Sequence, residues 1–425
     1  MQHIAVIGGG ITGVTTAYAL LKRGLRVTLI DRQRYAAMDT SFANGGQLSA
    51  SNAEVWNHWS TVLKGLKWML KSDAPLLVNP KPSWHKLSWF AEFLAHIPHY
   101  RQNTIATAKL AIAARQHLFS WAEAEGIAFD LKKEGILHIY RDKQGFDHAG
   151  QVSQLLAAGG LDRRAVTPDE MRAIEPTLAG TYYGGYYTES DSTGDIHLFT
   201  NGLATAAERL GMRGLWGREV LKVASNGTQA SVTLRGSEGE ETHTFDGMVV
   251  CAGVGSRDLA AQLGDRLNVY PVKGYSITVN LLDEASQAAA PTVSLLDDET
   301  KLVTSRLGAG RFRVAGTAEF NGVNRDIRAD RIRPLVDWVN QCFPGVNTRQ
   351  VVPWAGLRPM MPNMLPRVGA GRKANVFYNT GHGHLGWTLS AVTADMVATE
   401  VASRSLTTSP RSVWAHNGRI GNLPI

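Results

Sequence analysis

Apolar positions along this chain change their period from one segment to the next. Ile4-Ala5-Val6-Ile7 is continuously apolar, a glycine-rich turn follows at 8–13, and a helix-like stretch runs to Leu21. Arg26-Val27-Thr28-Leu29-Ile30 then repeats the short apolar run. Short unbroken runs of this kind suit strands covered on both faces, so the first 31 residues predict a βαβ unit. Residues 104–125, with Leu110, Ala114, Leu118 and Trp121 at helical spacing, predict an amphipathic helix. Gly135–Arg141 reads as a strand, and Thr167 before Pro168 reads as the N-cap of a helix. Gly194-Asp195-Ile196-His197 leads into another helix ending near Leu210. Val220–Ala224 and Ala230–Leu234 alternate on either side of Asn226-Gly227, a hairpin signal. Met248–Gly253 reads as a buried strand ending in glycine. Further strands are predicted over 271–279, 302–305 and 311–315, then helices near 328–342 and 388–403. Internal repeats and low-complexity tracts are absent.

The pattern predicts an α/β chain of two interleaved domains, each assembled from separate segments. A nucleotide-binding domain takes 1–50, 194–260 and 345–425, and an α+β domain with an antiparallel sheet takes 51–193 and 261–344. The chain has 425 residues, 44% hydrophobic and 19% charged, the balance of a soluble globular protein with ample core. Its net charge of +7 is scattered, which argues against nucleic acid and suits mild attraction to anionic membranes or acidic substrates. Cys251 and Cys342 make neither a disulfide framework nor a metal site, so a reducing, cytoplasmic setting fits. Ile4–Leu21 is long enough to span a membrane, but its glycines oppose that reading, and a basic flank and cleavage site are missing.

Gly8-Gly9-Gly10-Ile11-Thr12-Gly13 sits between the first strand and its helix, with Asp31 closing the second strand. Gly8 permits the tight turn, Gly10 lets a pyrophosphate approach the backbone, and Gly13 lets helix and strand pack closely. Unpaired amides and the positive dipole end face the phosphates, and Asp31 is placed for a ribose. A second cluster, Gly381-x-Gly383-x-x-Gly386, precedes the last helix. It reads either as a glycine-rich loop without ligand or as a helix start aimed at the negative centre of a reduced isoalloxazine.

These motifs, with Ser41-Phe42-Ala43-Asn44-Gly45-Gly46-Gln47, Pro271–Ser276, Gly356-Leu357-Arg358-Pro359-Met360 and Asn379–Trp387, resemble the small subunit of bacterial D-amino-acid dehydrogenases. That family lies within the D-amino-acid oxidase and glycine oxidase superfamily, and the resemblance runs in order from residue 1 to about 405. It implies a Rossmann-like FAD-binding domain of the glutathione-reductase type and a non-covalently bound FAD, extended along the first βαβ unit. Asp31 and Arg32 would serve its adenosine end, and Val220 would offer backbone to adenine. Ser41, Asn44, Gly46 and Gln47 would follow the ribityl chain and ring, with Gln47 also facing substrate. Gly253 and the stretch Gly381, Gly383, Leu385, Gly386, Trp387 and Thr388 would border the cofactor.

In relatives the arginine of the Gly-Leu-Arg-Pro motif clamps the amino-acid carboxylate, which assigns that role to Arg358; a planar guanidinium suits it because two parallel hydrogen bonds fix position and rotation. A surface or structural ion pair is the alternative. Tyr275 reads equally as a substrate or flavin contact and as a core aromatic. His197, His382 and His384 are more ordinary as satisfied structural donors, with His382 carried forward as a catalytic candidate. The implied reaction passes the Cα hydrogen of a neutral amine as hydride to flavin N5, and the imine hydrolyses to a 2-oxo acid and ammonia. Electrons would go to a quinone or another respiratory acceptor. An oxidase using oxygen on glycine, sarcosine or proline-like substrates, or a flavin-binding relay or assembly subunit, are the rival readings. No cysteine lies near the Arg358 motif to tether flavin, and Met361-Pro362-Asn363-Met364 departs from the proline–acid–glycine pattern expected after it.

Trp56, Trp59, Trp68, Trp84 and Trp89 alternate with Lys64, Lys67, Lys71, Lys81 and Lys86. Such interleaving suits a membrane interface, and the resemblance supports one, placing 58–100 against the inner face of the cytoplasmic membrane. Tryptophans packing helices against one another explain the same pattern.

Overall fold

The computed structural model describes residues 2–68, 75–237 and 239–407. The predicted βαβ unit is the centre of a six-stranded sheet. Strand His3–Ile7 pairs in parallel with Arg26–Asp31 on one side and Gly247–Val250 on the other. Arg213–Trp216 and Val376–Thr380 extend the parallel set, and Arg367–Ala370 closes one edge antiparallel. Both faces are covered, as the unbroken apolar runs require. Helices Ile11–Leu21, Ile196–Arg209 and Gly386–Thr407 bury Val14, Leu203 and Ala391 against one face. The antiparallel sheet Glu219–Ser225, Ala230–Gly236 and Gly239–Phe245 packs Val223, Val232 and Leu234 against Ala5, Ile7 and Val250 on the other.

A second, nine-stranded sheet is mostly antiparallel and centres on the long strands Tyr270–Asn280, Arg311–Phe320 and Val351–Met360. Helix Ala329–Cys342 covers one face with Leu335, Trp338 and Val339 over Ile277, Phe312 and Val314. On the other, Trp89 and Phe93 of helix Trp84–Ala95 pack with Val272, Phe320 and Met360. The boundary expected at 345 does not follow sheet membership. Val351–Met360 pairs with Tyr270–Asn280 across ten registered positions, so the crossover back to the first sheet comes after Met360.

The segment 40–48 joins the two sheets. Thr40 Oγ1 donates to the Leu357 carbonyl at 3.0 Å, and Ser276 Oγ to the Ala43 carbonyl at 2.8 Å. Ser305 Oγ donates to the Gly45 carbonyl at 2.6 Å, while Gln47–Leu48 pairs with Ser192–Thr193. A segment that starts beside the nucleotide turn is thereby fastened to the floor of the second sheet.

Helix Ile11–Leu21 crosses its strand at van der Waals limit. A Cβ on Gly13 would lie 1.7 Å from the Gly8 carbonyl oxygen. Gly13→Ala therefore forces helix and strand apart and should cost about 1–3 kcal/mol of stability, read as a lowered denaturation midpoint. An unchanged midpoint would show that this contact relaxes freely.

Candidate active site

One cavity of about 840 Å³ runs between the sheets, bordered by the first glycine turn, the 40–47 segment, the 381–388 loop and the strand carrying Arg358. Gly8, Gly10, Ile11 and Thr12 line one end. Gly9 and Gly13 are not on the lining. Gly9 donates its amide to Asp31 Oδ2 at 2.5 Å, and a Cβ there would meet Trp216 at 2.7 Å. Both glycines shape the turn from behind. Gly8, at φ +115°, occupies backbone space that other residues enter only under strain.

Helix Ile11–Leu21 begins at Gly10 without a side-chain cap or an acidic residue in its first turn. Ser41 Oγ accepts the Ile11 amide at 3.0 Å, leaving its hydroxyl proton to donate. A Cβ on Gly10 would find only Ser41 Oγ at 3.4 Å, so the approach to these amides is open. Asp31 also accepts the Gln33 amide at 2.7 Å; burial pushes its carboxyl up, opposed by the two amide bonds. Arg32 bonds Asp39 at 3.0 Å at the cavity wall, where Val220 and Gly253 also lie. A ladder irregularity at Val220–Lys222 breaks the pairing there. Asn44 folds its Oδ1 back on the Gly46 amide at 2.9 Å, and Gln47 Nε2 binds Ser294 Oγ at 2.8 Å.

Helix Gly386–Thr407 also starts on this cavity with no acidic residue in its first turn. Gly381 and Gly383 hold φ +77° and +58°, and Cβ atoms there would strike Met361 and Met360 at 2.5 and 2.8 Å. Leu385, Gly386, Trp387 and Thr388 all line the space. Two helix starts without acidic residues in their first turns, facing one elongated cavity, fit an FAD, whose pyrophosphate is anionic and whose ring takes up negative charge on reduction at a separate point.

Arg358 points its guanidinium across Gly274, where a Cβ would lie 2.4 Å from Nη1. Nη1 donates to the Thr317 carbonyl at 2.7 Å and Nη2 to the Gly316 carbonyl at 3.4 Å. Among the described residues no carboxylate pairs with it. Burial alone lowers it to about 10, so it stays charged at neutral pH. A lined, cationic fork with unused N–H groups is suited to a carboxylate.

Two catalytic candidates have structural partners. Tyr275 is 1% exposed and gives its hydroxyl to Glu319 Oε2 at 2.8 Å, beside the buried Lys273. The hydroxyl is committed, so the core reading holds for it, while its residue still borders the cavity. His382 shares a hydrogen with Thr393 Oγ1 at 2.9 Å through Nε2, and burial lowers it to about 3, so it exchanges no proton near neutrality. His384 is lowered to about 4 by the same cause and stacks on Trp56 at 5.1 Å. His197 bonds the Ala37 carbonyl and lies away from the cavity lining.

Sequence reasoning missed Thr317, Glu54, His148, Asp298 and Lys301, which all line the cavity. Glu54 accepts from Tyr100 at 2.7 Å and faces His148 at 3.4 Å, and Asp298 pairs with Lys301 at 2.5 Å. They come from separate segments without a motif, so only folding brings them together. The tryptophan–lysine segment divides. Trp89 is 1% exposed and bonds the Met360 carbonyl, and Lys86 Nζ is buried on the Asn79 and Lys81 carbonyls, so both belong to the core. Trp56 and Trp68 line the cavity, whereas Trp59 and Trp84 are 60% and 83% exposed. Lys71 and the Lys67 side chain lie outside the described residues. Among the described residues no helix is long and apolar enough to cross a membrane.

A family profile described as FAD dependent oxidoreductase matches residues 3–400. D-amino acid dehydrogenase 3 of Mesorhizobium japonicum is 63% identical over 403 residues, covering 95% of this chain and 98% of that protein. D-amino acid dehydrogenase of Dechloromonas aromatica is 40% identical, covering 95% and 97%. In fold, glycine oxidase of Geobacillus kaustophilus superposes with a TM-score of 0.70 at 21% identity, covering 98% of this chain and 100% of that one. L-proline dehydrogenase from P. horikoshii gives 0.72 at 16%, covering 93% and 92%.

His382 and His384 titrate well below their ordinary value of about 6.5. Between that value and about 4 the unfolded chain binds more protons than the folded one, so stability falls as pH falls through this window. His382→Gln should remove about one proton, near 1.4 kcal/mol per pH unit, from the slope of stability against pH. Parallel slopes for parent and variant would refute a buried neutral ring at 382.

Proposed function

We propose that this chain, which belongs to the FAD dependent oxidoreductase family, oxidises amino acids of D configuration to imines and delivers the electrons to a membrane acceptor. The observation that carries the reading is Arg358, a half-buried guanidinium at the cavity wall with carbonyl partners and, among the described residues, no carboxylate. The dehydrogenase names of the relatives at 63% and 40% identity support the substrate class.

When bound, the flavin supplies a two-electron sink that takes the amino acid to its imine, which water then converts to 2-oxo acid and ammonia. The protein's own residues do the placing. Gly8, Gly10, Ile11, Thr12 and Ser41 would hold the pyrophosphate on backbone amides and one hydroxyl. Asp31, Arg32, Val220 and Gly253 would hold the adenosine end. Asn44, Gly46 and Gln47 would follow the linking chain, and Gly381–Thr388 would flank the ring. Arg358 would grip the substrate carboxylate through two N–H groups, fixing rotation about the Cα axis and therefore which hydrogen faces the ring. His382 and His384, held neutral by burial, would neither repel the substrate ammonium nor compete for its carboxylate. Trp56, stacked on His384, would exclude water from one side.

The acceptor would approach at helix Trp59–Trp68. That helix turns Ser60, Thr61, Lys64 and Trp68 to the cavity and exposes Trp59 and Leu63, each at 60%. With Trp84 and Leu87 it presents aromatic and apolar side chains near lysines, the composition of a peripheral contact with anionic lipid on the cytoplasmic face. The domain division supported by sheet membership assigns 2–50, 194–260 and 361–407 to cofactor binding and most of the remainder to substrate.

Under anaerobic conditions, D-amino acids should bleach the bound flavin and their L-enantiomers should not. Arg358→Met should raise KM by about two orders of magnitude with flavin retained. Bleaching by L-amino acids only, or an unchanged KM, would overturn the reading. A Trp59→Ala/Trp84→Ala variant should sediment with anionic vesicles several-fold less than the parent; equal sedimentation would remove the membrane contact.

A further inference from the structure

The wall that carries Arg358 contains a residue in an expensive conformation. Register between Tyr270–Asn280 and Arg311–Phe320 slips between Lys273 and Tyr275, so Thr317 and Ala318 together oppose the single residue Gly274. This β-bulge puts Thr317 at φ +56°. A β-branched side chain is a poor occupant of that region, where glycine or asparagine fits at lower cost. The bulge alone explains why the Thr317 carbonyl turns to accept Arg358 Nη1 at 2.7 Å. Any residue would supply that carbonyl, so it does not explain a threonine.

The side chain itself holds the other clue. Thr317 is 8% exposed, and its Oγ1 is buried without a hydrogen-bond partner. Leaving a hydroxyl so costs free energy unless something else satisfies it. Among the described residues four side chains combine such an orphaned buried atom with a place on the cavity lining: Thr317, His382, His384 and Trp387. Three come from the 382–387 loop, and Thr317 alone comes from the sheet that carries Arg358. Neither Lys273 nor Glu319, the nearest buried charges on these strands, is bonded to it.

We infer that the Thr317 hydroxyl is a second ligand of the substrate carboxylate, donating to one oxygen while Arg358 binds the group from the adjacent position. The inference rests on the reading of Arg358 as the carboxylate clamp. Strain at the bulge is then retained because it performs two tasks, aiming the guanidinium by its carbonyl and completing the anion site by its side chain.

The test uses the flavin-loaded full chain and pyruvate, a 2-oxo acid carrying the same carboxylate, with Kd read by titration calorimetry. Thr317→Val keeps shape and backbone strain but removes the donor, and should weaken pyruvate roughly tenfold, the effect of losing one hydrogen bond to a charged group. Thr317→Ser should stay within about twofold of the parent. Thr317→Gly relieves the backbone and should melt higher while binding pyruvate as weakly as the valine variant, a split that a purely structural threonine would not produce. Flavin content and its dissociation rate should be unchanged in all three. Unaltered affinity in the valine variant, with Arg358→Met still losing pyruvate, overturns the role of Thr317 alone. Unaltered affinity in Arg358→Met overturns the clamp and this inference with it. Should the valine variant fail to fold, the serine and glycine pair decides: equal affinities refute the proposal.

Discussion

Arg358 sits half-buried at a cavity wall, where desolvation makes a positive charge costly, and among the described residues no anion pairs with it. Two carbonyls take part of its hydrogen-bonding capacity, and neither neutralises it. Such a charge persists only if the surrounding strands are rigid enough to hold it against relaxation. The three long strands of the larger sheet provide that rigidity, one carrying Arg358, one leaving room at Gly274, and one bulging at Thr317. A cavity held in this way would already be shaped for the anionic partner proposed for it, which reduces the ordering cost of binding.

The nucleotide side is built on the same economy of backbone. Two helix starts without an acidic residue in the first turn face the cavity there, and the glycines do different work. Gly8 and Gly13 let a helix and a strand touch, whereas Gly10 keeps the approach clear. The 40–48 segment ties this half to the other by hydrogen bonds to Leu357, Ser276 and Ser305, so the two ends of the cavity hold a common spacing. Precise spacing matters for a redox reaction in which the reacting bond must face the ring, because small displacements cost rate steeply.

Much of this was legible in the amino-acid order. The βαβ turn, the Asn226-Gly227 hairpin, the Thr167 N-cap and the last helix are local events, set by turn chemistry and apolar period, and each is present. Arg358 could be singled out because its motif is contiguous. For Tyr275 and His382 the order of residues left reactive and structural roles both open, because their partners, Glu319 and Thr393, lie 44 and 11 residues away and leave no local mark. Trp89 and Lys86 show the same limit, since composition places both at a surface and packing buries both.

The order of residues determined which stretches become strands and helices, and which turns can admit a phosphate, since those depend on neighbours a few positions apart. Tertiary structure decided which charges go unpaired and which hydroxyls are left without a partner. A one-residue slip between two strands created the bulge at Thr317, and slips of that kind arise from how whole strands pack, not from any residue taken with its neighbours.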